Sequence, residues 1–182
     1  MKYLGRSLVL TLLLLSICCV GHQFYEHPNF DNHAENIQVN FSPRGETLNT
    51  IVNCINNAEH KILVAAYAFT SQPIADGLLK AHMRGVSVMV VADSRASKDR
   101  RSILPLLIKN GVPVRVNGKY AILHHKFIVI DDRHVQTGSF NYTAAAANKN
   151  AENVIVLFNM PQLANQYSSE WQKLWDEGQI LK

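Results

Sequence analysis

The feature that most limits how this chain can fold is a change of apolar rhythm between Lys61 and Phe158. Lys61–Phe69 and Val86–Ala92 are short and almost unbroken apolar runs, which suits strands buried on both faces better than helices. Between them, Pro73–Arg84 carries apolar residues at helical spacing and is stopped by Gly85. A second helix is expected near Ser102–Asn110, ended by Gly111 and followed by a short strand at Pro113–Val116. There the alternation stops. Phe127–Ile130, a turn at Asp131–Arg133 and His134–Thr137 read as a hairpin, and Asn153–Phe158 as a further buried strand. Upstream, Ile37–Phe41 alternates as a strand, and Leu48, Ile51, Val52 and Ile55 recur at helical spacing. Downstream, Pro161 opens an amphipathic helix carrying Leu163, Tyr167, Trp171 and Leu174. Strands alternating with helices and then a hairpin predict an α/β domain, a single mixed β-sheet flanked by helices. No glycine-rich phosphate loop follows a strand, so nucleotide-cofactor folds lose their main support. Asp93, at a strand end, is too weak a signal to restore them.

The N-terminus decides which residues belong to that domain. Lys2 and Arg6 precede an uncharged apolar run from Leu8 to Val20, and polar His22-Gln23 follows. This order predicts a secretory signal peptide over residues 1–21 and a periplasmic or secreted protein. The run falls short of the roughly 20 apolar residues of a membrane span, so a stable membrane partner after cleavage is not expected. Anchoring through the N-terminus is the alternative. Cleavage removes Cys18 and Cys19 and leaves Cys54 alone, which excludes an intrachain disulfide and a Cys-rich zinc site. It also takes the basic residues from 18 to 16 against 14 acids, so charge alone does not announce a nucleic-acid binder. Residues 22–36 read as a polar leader and 37–182 as one catalytic domain.

The chemistry concentrates between His124 and Asn141. Along a strand His124 and Lys126 share a face while His125 points away. An imidazole beside an ammonium suits a site that binds an anion and attacks it. Past the hairpin, Gly138 allows a close backbone approach, and Ser139 and Asn141 offer a hydroxyl and a carboxamide. Converging on the imidazole, these groups would form a phosphate cradle containing a nucleophile. Asp131 opens a tight turn, where Asp bonds local backbone, and reads as structural. Arg95, Lys98, Arg100 and Arg101 cluster in a loop after a buried strand and offer a tentative surface for a polyanion.

His124-x-Lys126, four residues, Asp131, six residues, then Gly138-Ser139-x-Asn141 resembles the signature of the phospholipase D superfamily. Six fixed positions recur by chance on the order of 10⁻⁷ per start or less, so the spacing is specific. Thr137–Thr143, Ala144–Asn150, Glu152-Asn153 and the segment from Asn159 through Trp175 are similar to its small bacterial endonuclease branch. The resemblance implies a phospholipase D-like fold and a covalent phosphohistidine mechanism. In it, His124 is the nucleophile, and a second copy of the same histidine protonates the leaving oxygen and then activates water. Lys126 and Asn141 hold the non-bridging oxygens, Ser139 assists by hydrogen bonding, and Glu152 fixes the tautomer of His124. It implies no metal and no other cofactor. With one motif per chain, it implies a homodimer sharing one active site.

These readings predict an exported, metal-independent phosphodiesterase, with a non-specific endonuclease acting on DNA or RNA as the leading form. A lipid phosphodiesterase of the phospholipase D type is the first alternative. It calls for apolar, Trp-rich loops that enter lipid, whereas both Trp residues fall at helical spacing in the last helix. A catalytically inactive nucleic-acid-binding protein is the second, weakened because no motif position is altered.

Overall fold

Two apolar segments far apart in sequence make the centre of the domain. Strand β2 (Lys61–Ala66) pairs antiparallel with β5 (Lys126–Ile130), and Ala66 lies opposite Lys126. The computed structural model describes residues 36–43 and 46–181. The expected signal segment, and the leader up to residue 35, lie outside the described residues. From this pair the sheet grows in two ways. On one side β3 (Ser87–Asp93) and β4 (Val114–Asn117) add parallel to β2 through right-sized helical crossovers, and β8 (Gln179–Ile180) closes the edge antiparallel. On the other side β6 (His134–Gly138), β7 (Glu152–Leu157) and β1 (Ile37–Ser42) add antiparallel. The result is one mixed sheet of order β1-β7-β6-β5-β2-β3-β4-β8, as the change of rhythm predicts.

Because strand side chains alternate, each central strand feeds two cores. Ile62, Val64, Val88, Val90, Ile128 and their neighbours pack beneath α1 (Thr47–Asn56), α2 (Gln72–Met83) and α3 (Leu104–Lys109). On the other face Leu63, Ala65, Val91, Phe127 and Val129 pack with Trp171 and Leu174 of α5 (Pro161–Glu177). Trp171 is buried and donates its indole N–H to the Val64 carbonyl at 2.9 Å. A short α4 (Ala144–Asn148), capped by the Thr143 hydroxyl, was not legible from a run of four alanines. Nor was the two-residue β8. Strand β2 ends at Ala66 rather than Phe69, because Tyr142 bridges to Phe69 and its carbonyl takes the N–H groups of Thr70 and Ser71. Among the described residues no helix is long and apolar enough to cross a membrane.

Asp131 does the structural work expected of it, and on a larger scale than a local turn. With φ 52° it opens the β5–β6 turn, and its carboxylate accepts the backbone N–H groups of Glu59, His60 and Lys61 at 3.0, 2.8 and 2.9 Å. Partial burial pushes its pKa up, but those three donors outweigh it and hold the carboxyl below the usual range. Asp131 therefore ties the start of β2 to the end of β5. Replacing it with Ala is expected to cost about 2–3 kcal/mol, since three donors lose a charged acceptor. The check is urea denaturation, with a lower midpoint and an unchanged slope. A folded pKa below the unfolded value of about 3.9 means that this stability is full above roughly pH 5 and disappears as pH falls through the folded value. In the Ala variant that acid-dependent loss should be absent.

Candidate active site

Strand directions place every chemically loaded loop at one end of the sheet. The C-terminal ends of β2, β3, β4 and β6 and the N-terminal ends of β5 and β7 coincide there, by the registers Ala66↔Lys126, Asp93↔Asn117, Phe127↔Thr137 and Gly138↔Val154. His124, Lys126, Ser139 and Glu152 thus share that end with the loop carrying Arg95, Lys98, Arg100 and Arg101. Asp131 and His134 sit at the opposite end. His134 accepts the Asn159 N–H on Nδ1 at 3.0 Å, and burial, with help from Arg133, lowers its pKa.

One expectation needs correcting. His124 and His125 lie in the loop before β5, which begins only at Lys126, so strand alternation does not act on them directly. They still diverge. The exposed His124 ring packs on Tyr67, with centroids 4.8 Å apart and planes at 54°. His125 turns to the α5 side, edge-on to Phe127 and 3.6 Å from Glu170. Tyr67 also lies beneath the Lys126 ammonium, 5.5 Å from its centroid. No sequence signal marked Tyr67 beyond its place in a buried run.

Lys126 is the site's unusual charge. It is only 7% exposed, and its ammonium donates to the His124 carbonyl at 2.6 Å. No carboxylate among the described residues comes within ion-pair distance of it. Burial lowers its pKa, and the nearby Glu152 charge raises it part of the way back. A buried ammonium without a directly bonded anion is costly, and an anion bound at this point would relieve that cost.

The remaining polar groups form a short chain of bonds beside it. Ser139 donates to Glu152 Oε2 at 2.6 Å and accepts the Asn153 backbone N–H at 3.0 Å. Asn150 donates to Glu152 Oε1 at 3.0 Å. Glu152 therefore holds Ser139 here, and no hydrogen bond joins it to His124, contrary to the orienting role that the resemblance implies. Gly138 (φ 145°) is required because a Cβ there would run into the Asn153 carbonyl. Its close approach is to β7 rather than to a ligand. Asn141 is half-buried, and its Oδ1 is buried without a partner, an unsatisfied group of the kind that binding sites retain. A groove of about 380 Å³ runs from His124 and Lys126 past Thr137 to Gln166, Tyr167 and Glu170. Among the described residues no three His, Cys, Asp or Glu side chains group as metal ligands.

The basic loop is less free than its charge count. Arg101 clamps Asp99 through two bonds, 3.1 and 2.8 Å, and chiefly for that reason the Asp99 carboxyl is pushed down to about 2. Arg95, Lys98 and Arg100 are exposed, and their side chains make no such bond among the described residues. Sequence reasoning also passed over Asp93, which is buried at the root of this loop.

Comparison with known proteins agrees with this geometry. A family model described as cardiolipin synthase, PLD-like domain, matches residues 51–175. Phospholipase D of Rickettsia felis is 38% identical over 131 residues, which are 72% of this chain and 65% of that protein. The mitochondrial cardiolipin hydrolase of Danio rerio is 31% identical over 162 residues, 87% of this chain and 68% of that one. The match thus spans slightly under two thirds of the rickettsial proteins. Among solved structures, Nuc of Salmonella typhimurium, a phospholipase D family member, superposes with a TM-score of 0.78 at 38% identity, covering 80% of this chain and 97% of that one. NucT of Helicobacter pylori, at 22% identity, shares the fold with a TM-score of 0.71 over 80% of this chain and 99% of that one.

The electrostatics of the site can be read directly. Glu152→Gln removes the charge that supports the Lys126 ammonium, so Lys126 should titrate at lower pH than in the parent protein. NMR titration of isotope-labelled lysine side chains measures this. An unchanged or higher Lys126 pKa would show that Glu152 does not act on it.

Proposed function

The chain belongs to the phospholipase D-like family, and on that premise we propose that it is an exported, metal-independent phosphodiesterase acting on nucleic acid without sequence specificity. The observation that carries the reading is the buried Lys126 ammonium, lacking a bonded carboxylate among the described residues, beside the exposed imidazole of His124. His124 attacks phosphorus through Nε2, the bond to the leaving oxygen breaks, and the His124 of a second chain gives that oxygen its proton. The same second histidine then takes a proton from water, whose oxygen attacks phosphorus as the bond from phosphorus to Nε2 breaks and frees His124. Lys126 and Asn141 carry the charge of the non-bridging oxygens, and Ser139, which donates to Glu152 in the free protein, turns its hydroxyl proton to the phosphate when substrate binds. Arg95, Lys98 and Arg100 offer phosphate contacts along a longer substrate. Export rests on residues 1–21 alone, and it would place the enzyme in the periplasm or outside the cell.

A homodimer follows from counting, because in-line displacement needs a histidine on each side of phosphorus and this chain carries the motif once. An apolar strip left exposed among the described residues supports it. Ile37, Val39 and Phe41 of β1 point away from α1, which Gln38 contacts, and Val39 and Phe41 are 48% and 65% exposed. Val39 lies opposite Ile155, and Ile155 opposite Thr137, so this apolar strip continues across β7 into the groove beside His124. A second copy seated on it brings its own site close to the first.

A lipid phosphodiester is the second reading. Tyr120 and Ile122 are exposed on the loop that leads to His124, where they would meet a lipid surface. Assays on DNA, RNA and phospholipid vesicles in excess EDTA decide between them. Cleavage of nucleic acid that persists in chelator is expected. Cleavage lost in chelator and restored by one divalent ion would overturn the mechanism.

The shared site has its own signature. When wild-type and His124→Ala chains exchange subunits in equal amounts, about a quarter of the activity should remain, because a two-fold site needs both histidines. Independent sites would retain about half. Val39→Asp, on the apolar strip, is expected to yield an inactive monomer in sedimentation. A fully active monomer would remove the dimer from this account.

A further inference from the structure

The loop bearing the basic cluster and the loop bearing His124 leave neighbouring parts of the sheet, and one buried side chain joins them. Asp93 ends β3 and is 2% exposed. Its Oδ1 accepts the backbone N–H groups of Arg95 at 2.9 Å and Ala96 at 2.7 Å. Its Oδ2 accepts the N–H of Leu123 at 2.9 Å. Leu123 is buried in the α5-side core and immediately precedes His124.

A carboxylate out of water needs donors on both oxygens, and here they come from two different loops. Capping the turn after β3 requires only Oδ1, as in any Asx turn. The bond to Leu123 reaches 30 residues along the chain, and the local turn does not explain it. Neighbouring contacts join the same two loops. The Ser94 N–H donates to the Asn117 carbonyl at 3.1 Å, and a Cβ on Gly118 would lie 2.9 Å from Ser94 Oγ. Asn117 in turn is buried, donating to the Leu174 carbonyl at 3.0 Å and accepting the Lys119 N–H at 2.9 Å. The two loops are therefore fastened as one unit, with Asp93 at its centre and His124 at one end.

We infer that Asp93 is a positioning residue that couples the Arg95–Arg101 loop to His124. A polyanion held by Arg95, Lys98 and Arg100 restrains that loop, and Asp93 passes the restraint through Leu123 to the backbone of the nucleophile. Asp93 itself touches no substrate. The inference rests on His124 being the nucleophile, as proposed above. Its kinetic consequence is that the basic loop governs kcat as well as KM, and that its effect on kcat runs through Asp93.

The experiment measures kcat and KM on a single-stranded 12-mer oligonucleotide and on bis(p-nitrophenyl) phosphate, which carries no second phosphate for the loop to hold. It compares wild type, Asp93→Asn, the pair Lys98→Ala/Arg100→Ala, and all three changes together. Asp93→Asn leaves an N–H₂ facing one set of N–H donors, and kcat should fall about 30-fold on both substrates, the scale of a slightly misplaced reacting group. Its KM for the oligonucleotide should stay within about threefold, a split that a general loss of folded protein does not produce. The Lys98/Arg100 pair should raise KM and lower kcat on the oligonucleotide. Combined with Asp93→Asn, it should raise KM only. Multiplicative kcat losses in the combined protein, or wild-type kcat in Asp93→Asn, overturn the coupling. If Asp93→Asn does not fold by circular dichroism, Asp93→Ser, which introduces no amide donor, carries the same comparison. Activity that survives His124→Ala removes both the phosphodiesterase reading and this inference. An inactive His124→Ala beside an unimpaired Asp93→Asn removes this inference alone.

Discussion

The antiparallel pairing of β2 with β5, pinned at one end by the Asp131 carboxylate, is the constraint on which the rest depends. A one-residue slip in that register would move Ile128 and Ile130 out from under α1 and α2 and send Phe127 and Val129 away from Trp171. Three charge-assisted bonds from Glu59, His60 and Lys61 make such a slip expensive. The same register sets Lys126 against Ala66, next to Tyr67, at the opposite end of the strand. One motif residue therefore fixes the frame in which another, Lys126, is held at the far end of the same strand.

At the working end the sheet gathers loops from both of its halves. The parallel half contributes the basic loop after β3, and the antiparallel half contributes Ser139 and Glu152. Crossovers in the parallel half and hairpins in the antiparallel half bring strand ends of opposite polarity to one edge. What results is electrostatically incomplete. Among the described residues, Lys126 is desolvated with no bonded carboxylate, Asn141 keeps an unpaired buried oxygen, and Glu152 spends its hydrogen bonds on Ser139 and Asn150. An anion bound beside Lys126 would relieve the charge part of that deficit.

Much of this was legible in the sequence. The change from strand–helix alternation to a hairpin predicted the mixed sheet, and the spacing from His124 to Asn141 identified the residues that meet at its edge. Asp131 is structural, although its carboxylate bonds the backbone of Glu59, His60 and Lys61 rather than that of its own turn, which no local pattern announces. One error has a physical cause. His124 was placed on a strand because His-x-Lys alternates, but hydrogen bonding to β2 begins only at Lys126. Glu152 bonds Ser139 and Asn150 in this structure, a pairing that the motif spacing does not announce. Ile37–Phe41 does form the strand that its alternation predicts, at the edge of the sheet, with Val39 and Phe41 48% and 65% exposed.

The sequence by itself determined the types of the longer elements, the residues of the motif and the family, since these depend on local period and on fixed spacing along the chain. Only the tertiary structure decided that Tyr67 lies under both His124 and Lys126, that Lys126 is buried without a bonded carboxylate among the described residues, and that Asp93 fastens Leu123 to the basic loop. Those facts depend on which strands become neighbours and in what register. Long-range pairing of this kind is settled by the burial of two cores at once, and no local pattern of residues records it.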